Sequence, residues 1–128
     1  MTHAVAVIGK DRYRTEIDLG RHALTADEPP SHGGNDAGPA PYDLLLASLG
    51  ACTAITLRMY AERKEWPLDR LEVRLRLRGM PGALTIERVL AAEGVDAEQA
   101  ARLAEIAEKT PVTLTLKGGI PIDTRLAV

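Results

Sequence analysis

Cys52 is the one cysteine of this chain, and it lies in the most apolar stretch, P-Y-D-L-L-L-A-S-L-G-A-C-T-A-I-T-L-R-M-Y-A, from Pro41 to Ala61. No charge falls between Asp43 and Arg58. A thiol in such a place has two readings. It is a small hydrophobe filling a core, since free cysteine is among the most buried residue types. Or it is a reactive nucleophile, which requires a stabilised thiolate. If the helix begins near Tyr42, Cys52 is about three turns in, beyond the reach of its own helix dipole. A dry surround penalises the charged form. A reactive Cys52 therefore needs a cation from elsewhere, an arginine of the loop region or of another subunit.

Arg21 is one candidate for that cation, at the turn before the third expected strand. Its plain reading is a solvated turn residue. Asp43 could hold such an arginine by a bidentate ion pair, or serve only as a helix-start carboxylate. Arg74, Arg76 and Arg78 share one face of an expected strand. That face reads as the wet side of an antiparallel sheet, with an anion-binding stripe as the alternative. His3, His22 and His32 lack metal-ligand spacing, and no second cysteine supports a zinc site. G-G-N-D-A-G lacks the Lys and Ser/Thr of a phosphate loop and matches no dinucleotide fingerprint. No G-x-S-x-G is present for a serine hydrolase. No cofactor is expected.

These residues must be positioned by a short series of elements. Ala4 to Ile8, Tyr13 to Leu19 and His22 to Ala26 read as a small antiparallel meander. Glu28 to Pro41, with P-P-S-H-G-G-N-D-A-G-P-A-P, must be a loop, and its length suggests a function. The helix starts near Pro41, a residue favoured in the first turn, and runs to about Lys64. Its middle is apolar on every side, so it is expected to be enclosed all round. A chain this small can hardly do that alone, which implies that a partner subunit covers one face. Gly50 and Ala51 allow close helix approach. Leu71 to Arg78 alternates strictly and pairs with Leu84 to Ala92 as a hairpin. Asp96 and Gln99 form a capping-box pair at the start of a second helix, which ends before Pro111. Val112 to Leu116 and Ile120 to Leu126 read as two last strands around Lys117-Gly118-Gly119. The order predicts an α+β fold in one domain.

The 128 residues and their formal charge of −2 fit such a domain. They leave no electrostatic footprint for nucleic acid or an acidic membrane surface. A single cysteine excludes an intrachain disulfide and suits a reducing compartment. M-T-H-A-V-A-V-I-G-K does not read as a signal peptide. The uncharged run from Leu44 to Leu57 is shorter than the roughly 20 residues of a membrane span. The expected location is cytoplasmic, with no membrane.

The segment G-G-N-D-A-G-P-A-P-Y-D-L-L-L-A-S-L-G-A-C-T-A-I-T-L-R-M-Y-A resembles the OsmC/Ohr family of thiol-dependent peroxidases. The resemblance continues through the hairpin, the second helix and E-K-T-P-V-T-L-T-L. It implies a single OsmC-like domain over residues 1–128, in an intertwined homodimer whose two central helices are wrapped by antiparallel sheets from both chains. It implies that Cys52 is the peroxidatic cysteine, oxidised by an organic hydroperoxide to a sulfenic acid. It also implies an N-terminal arginine, assigned here to Arg21, and a carboxylate after Pro41. Many members carry Glu directly after that proline; this chain has Tyr42 there and its acid at Asp43. Peroxidase members place a resolving cysteine immediately before P-V. This chain has Thr110, which cannot form a disulfide. Two functions follow. One is a one-cysteine hydroperoxide reductase served by an external dithiol. The other is a relative that binds a small apolar ligand at the dimer interface, with Cys52 inert.

Overall fold

The computed structural model describes residues 2–127. The chain forms two compact units that meet in sequence at Ala47 and Ser48.

In the first unit, β1 (Val5–Ile8), β2 (Thr15–Asp18) and β3 (Ala23–Ala26) form the expected antiparallel meander in the order β1-β2-β3. Ile17 pairs with Ala6 on one side and Leu24 on the other. The long loop that follows is a built structure. One 3-10 turn covers Pro30–His32. The buried carboxylate of Asp27 gathers the rest: it accepts the backbone N–H of Tyr13 (3.0 Å), Glu28 (2.7 Å) and Ala37 (3.0 Å). A Cβ at Gly34 would stand 2.0 Å from the Glu28 carbonyl oxygen and 2.8 Å from Asp27 Oδ1, so the loop closes only with glycine there. The G-G-N-D-A-G motif is thus explained by one anion and the backbone that surrounds it.

Helix α1 (Pro41–Arg63) leads from the first unit into the second. It has the expected extent, but its enclosure is partial within one chain. Leu49, Thr53, Leu57 and Ala61 are its buried residues, spaced by four along one stripe. Ile55 and Met59 stay 55% and 63% exposed. By length and composition alone α1 could cross a membrane. Its stripe is instead part of a protein core, and Arg58 Nη1 donates to the Leu68 carbonyl at 2.7 Å.

The second unit continues with a hairpin of β4 (Arg70–Met80) and β5 (Ala83–Glu93), then α2 (Ala97–Ala107) and α3 (Pro111–Gly118). Its core joins Leu57 and Ala61 of α1 to Leu68, and to Leu103 and Ala107 of α2. Leu71, Leu90 and Ala92 of the hairpin pack against it. A Cβ on Gly50 would lie 3.0 Å from Leu75 Cδ1, so the small residue at 50 admits the strand of its own hairpin. On β4, exposed Arg74 pairs with half-buried Glu72, and Arg78 with Glu87 at 3.5 Å, both exposed. These are partners on a solvated face, as the plain reading of the stripe holds.

The last two expected strands are not formed. Val112 to Leu116 lies inside α3, and Ile120 to Leu126 has no regular structure. V-T-L-T-L alternates like a strand, but the residues before it specify a helix start. Thr110 is the extended N-cap and Pro111 the first helical residue, where a proline lacks only an N–H that has no helical partner. In the tail, Ile120, Ile122 and Leu126 are 67%, 87% and 87% exposed.

Candidate functional site

The site is assembled within the second unit from α1, β5 and the start of α3. Cys52 is half-buried on α1. Its Sγ accepts the backbone N–H of Val112 at 3.4 Å. Val112 is the second residue of α3, and the first N–H groups of a helix have no partner inside it. The positive end of α3 therefore faces the sulfur. A hydrogen-bond donor and a partial positive charge come from a neighbouring helix, since Cys52 is too deep in its own.

A largely enclosed arginine holds this arrangement. Arg88 rises from β5 with a side chain only 11% exposed. Its Nη1 donates to Thr53 Oγ1 at 3.0 Å and to Thr113 Oγ1 at 2.8 Å. Its Nη2 donates to the Ala107 carbonyl at 2.9 Å and to Glu108 Oε2 at 3.1 Å. Thr53 follows Cys52, and Thr113 follows Val112. One guanidinium thus grips the neighbour of the sulfur and the neighbour of its donor. Thr53 Oγ1 in turn donates to the Leu49 carbonyl at 2.7 Å. Glu108 also accepts from Lys117 Nζ at 2.7 Å. Lys117 first, and then Arg88, hold the Glu108 carboxyl below its ordinary range.

Thr110, where the family resemblance expects a resolving cysteine, is fully buried. Its hydroxyl is 2.6 Å from Thr113 Oγ1. It belongs to the polar cluster under α3. Beside the cluster lies a cleft of about 510 Å³. Leu49, Leu84, Ile86 and Leu116 supply its apolar wall, and Arg88, Glu108 and Lys117 its charged end.

The other two expected residues stand in the first unit. Asp43 Oδ2 accepts the Ala40 N–H at 3.0 Å, so it caps the start of α1. Arg21 sits in the turn between β2 and β3, beside a surface hollow it shares with Asp18 and His22. No group of three or more His, Cys, Asp or Glu suited to a metal occurs among the described residues.

Arg88 and Val112 were not legible as site residues. For Arg88 a signal existed. Alternation along L-T-I-E-R-V-L puts Arg88 on the same face as Ile86 and Leu90, so a cation had to point inward there. For Val112 the signal was the Thr-Pro start of a helix.

The sequence matches the family described as OsmC-like protein over residues 33–125. None of the curated proteins matches the chain. Solved structures share its fold. An OsmC-like protein from Mycoplasma pneumoniae superposes with a TM-score of 0.73 at 19% identity, covering 92% of this chain and 88% of that one. The organic hydroperoxide resistance protein OsmC from Legionella pneumophila gives 0.69 at 22% identity, covering 92% and 90%. The organic hydroperoxide resistance protein OhrB of Bacillus subtilis gives 0.66 at 21%, covering 92% and 91%.

Proposed function

The chain belongs to the OsmC family, and from that premise we propose that it reduces organic hydroperoxides through the thiol of Cys52, by a route needing no second cysteine. The observation that carries this reading is the Val112 N–H directed at Cys52 Sγ. A core-filling thiol needs no such donor, whereas a nucleophilic sulfur carrying negative charge is stabilised by one. Two of the solved relatives are named for organic hydroperoxide resistance, which suggests the substrate class.

In this reading residues 1–128 act as one OsmC-like domain in a cytoplasmic homodimer. Ile55 and Met59 on α1, with Ile120, Ile122 and Leu126 in the tail, are apolar surface that a second copy would bury. The family resemblance calls for an N-terminal arginine and a carboxylate to polarise the thiol, and Arg21 and Asp43 are the residues proposed for those roles. The reductant is an external dithiol, such as a dihydrolipoyl group.

The test is consumption of cumene hydroperoxide by pure protein with dihydrolipoate. Turnover that disappears in Cys52→Ser is the expected result. Absence of turnover in the wild-type protein would overturn the proposal.

The cleft beside Arg88 supports a second reading, a binder of a small apolar ligand in which Cys52 is inert. Ligand affinity unchanged by Cys52→Ser, together with a thiol that hydroperoxide does not touch, would favour it.

A further inference from the structure

A one-cysteine reductase must protect its sulfenic acid until a thiol arrives, because further oxidation to sulfinic and sulfonic acids is not readily reversed. Relatives of the two-cysteine kind close a disulfide. Here the position before Pro111 is Thr110, buried and engaged with Thr113. The atom that does face the sulfur is a nitrogen.

We infer that the backbone nitrogen of Val112 takes the place of a resolving cysteine, condensing with oxidised Cys52 to form a reversible sulfenamide. This rests on the reading of Cys52 as a peroxidatic thiol. Three features of the structure converge on it. The nitrogen lies 3.4 Å from Sγ with its N–H toward the sulfur. As second residue of α3, Val112 has no helical hydrogen bond to lose when that N–H is consumed. And Arg88 fixes the next residue on each side, Thr53 and Thr113, through one guanidinium. An amide nitrogen is a weak nucleophile, so reaction requires a held, near-attack approach. The clamp supplies it.

The chemistry balances in three steps. The Cys52 thiolate attacks the terminal oxygen of an organic hydroperoxide. The O–O bond breaks, the alkoxide leaves and takes a proton from water to become the alcohol, and sulfur is oxidised by two electrons to the sulfenic acid. The Val112 nitrogen then attacks sulfur and the S–O bond breaks. The amide proton and the hydroxyl depart as water, with no change in oxidation state. Finally one thiolate of a dithiol attacks sulfur, the S–N bond breaks and the nitrogen regains a proton. The second thiol of the same reductant displaces Cys52 and leaves as a cyclic disulfide.

Trypsin places Cys52 in the peptide His22–Arg58 and Val112 in Thr110–Lys117. Full-length reduced protein is treated with cumene hydroperoxide and analysed by intact mass and by peptide mapping without reductant. The expected result is a monomer lighter by two hydrogens, with these two peptides joined, and full reversal by dihydrolipoate. Stoichiometric trapping of a sulfenic acid by dimedone, with no joined peptides in untrapped protein, overturns the sulfenamide and leaves the peroxidase reading standing. A covalent dimer through Cys52 overturns it likewise. No oxidation of Cys52 at all overturns both. Val112→Pro removes the N–H within the first helical turn, and urea unfolding checks that α3 persists although proline disfavours the helical conformation of the residue before it. It should abolish the joined peptides and raise the sulfinic acid yield several-fold; an unchanged yield would contradict the protective role.

Discussion

The two short helices of the second unit begin in opposite ways. Helix α2 closes on itself. Asp96 accepts the Gln99 N–H at 2.8 Å, and Gln99 accepts the Asp96 N–H at 3.0 Å. Helix α3 has an N-cap threonine whose side chain makes no capping bond. Its hydroxyl turns to Thr113, and the Val112 N–H is left for a sulfur sixty residues earlier in the chain. The first start is a local solution that serves stability. The second is completed only by tertiary structure, and that is where the proposed chemistry sits. A helix end finished by another element is the place to look for a site.

The largest break in this contrast comes from Arg88→Met. It removes the guanidinium shared by Thr53, Thr113 and the Ala107 carbonyl, leaving the carbonyl only the Thr113 hydroxyl, and should cost roughly 2–4 kcal/mol of stability in urea unfolding. Loosening α3 against α1 should also slow hydroperoxide turnover by about 10- to 100-fold. Thr113→Val is a milder cut of the same clamp. It should cost about 1–2 kcal/mol and slow Cys52 alkylation, because the residue beside the donor is no longer gripped. Asp96→Ala sharpens the comparison from the other side. Losing the cap of α2 should cost about 1 kcal/mol while Cys52 reactivity stays at the wild-type rate, as single-turnover alkylation would show.

Asp27 offers the smallest effect and a pH handle. Backbone N–H donors, that of Ala37 foremost, hold its carboxyl below the ordinary value. A lowered folded value contributes stability at pH above the unfolded value, near 3.9. That contribution is lost as pH falls through the folded one. The amides of Tyr13, Glu28 and Ala37 should therefore lose protection, measured against the intrinsic exchange rate at each pH, only in acid, and Asp27→Asn should show the loosened loop at neutral pH.

Much of this was legible in the sequence because the signals were local and agreed. Pro41 and the charge-free run define α1, strict alternation defines the hairpin, and Asp96 with Gln99 defines α2. The site was half legible. Cys52 stood out by composition; its donor is a backbone N–H where a cation was expected, though the search for a partner outside its own helix followed from its depth there. The partner itself did not, because V-T-L-T-L carries a strand pattern that competes with the Thr-Pro helix start, and reading a strand removes the helix end that faces the sulfur. Asp27 escaped notice for a related reason. A carboxylate satisfied by backbone N–H groups has no charged partner to mark it, and its role appears only once the loop is closed around it.

The rate of Cys52 alkylation across pH, with and without a prior pulse of organic hydroperoxide, tests the central claim most directly. The account predicts a thiol that reacts at neutral pH, is blocked by the pulse, and is restored by dihydrolipoate. A thiol that alkylates no faster than in unfolded protein, and that the hydroperoxide leaves untouched, would contradict it.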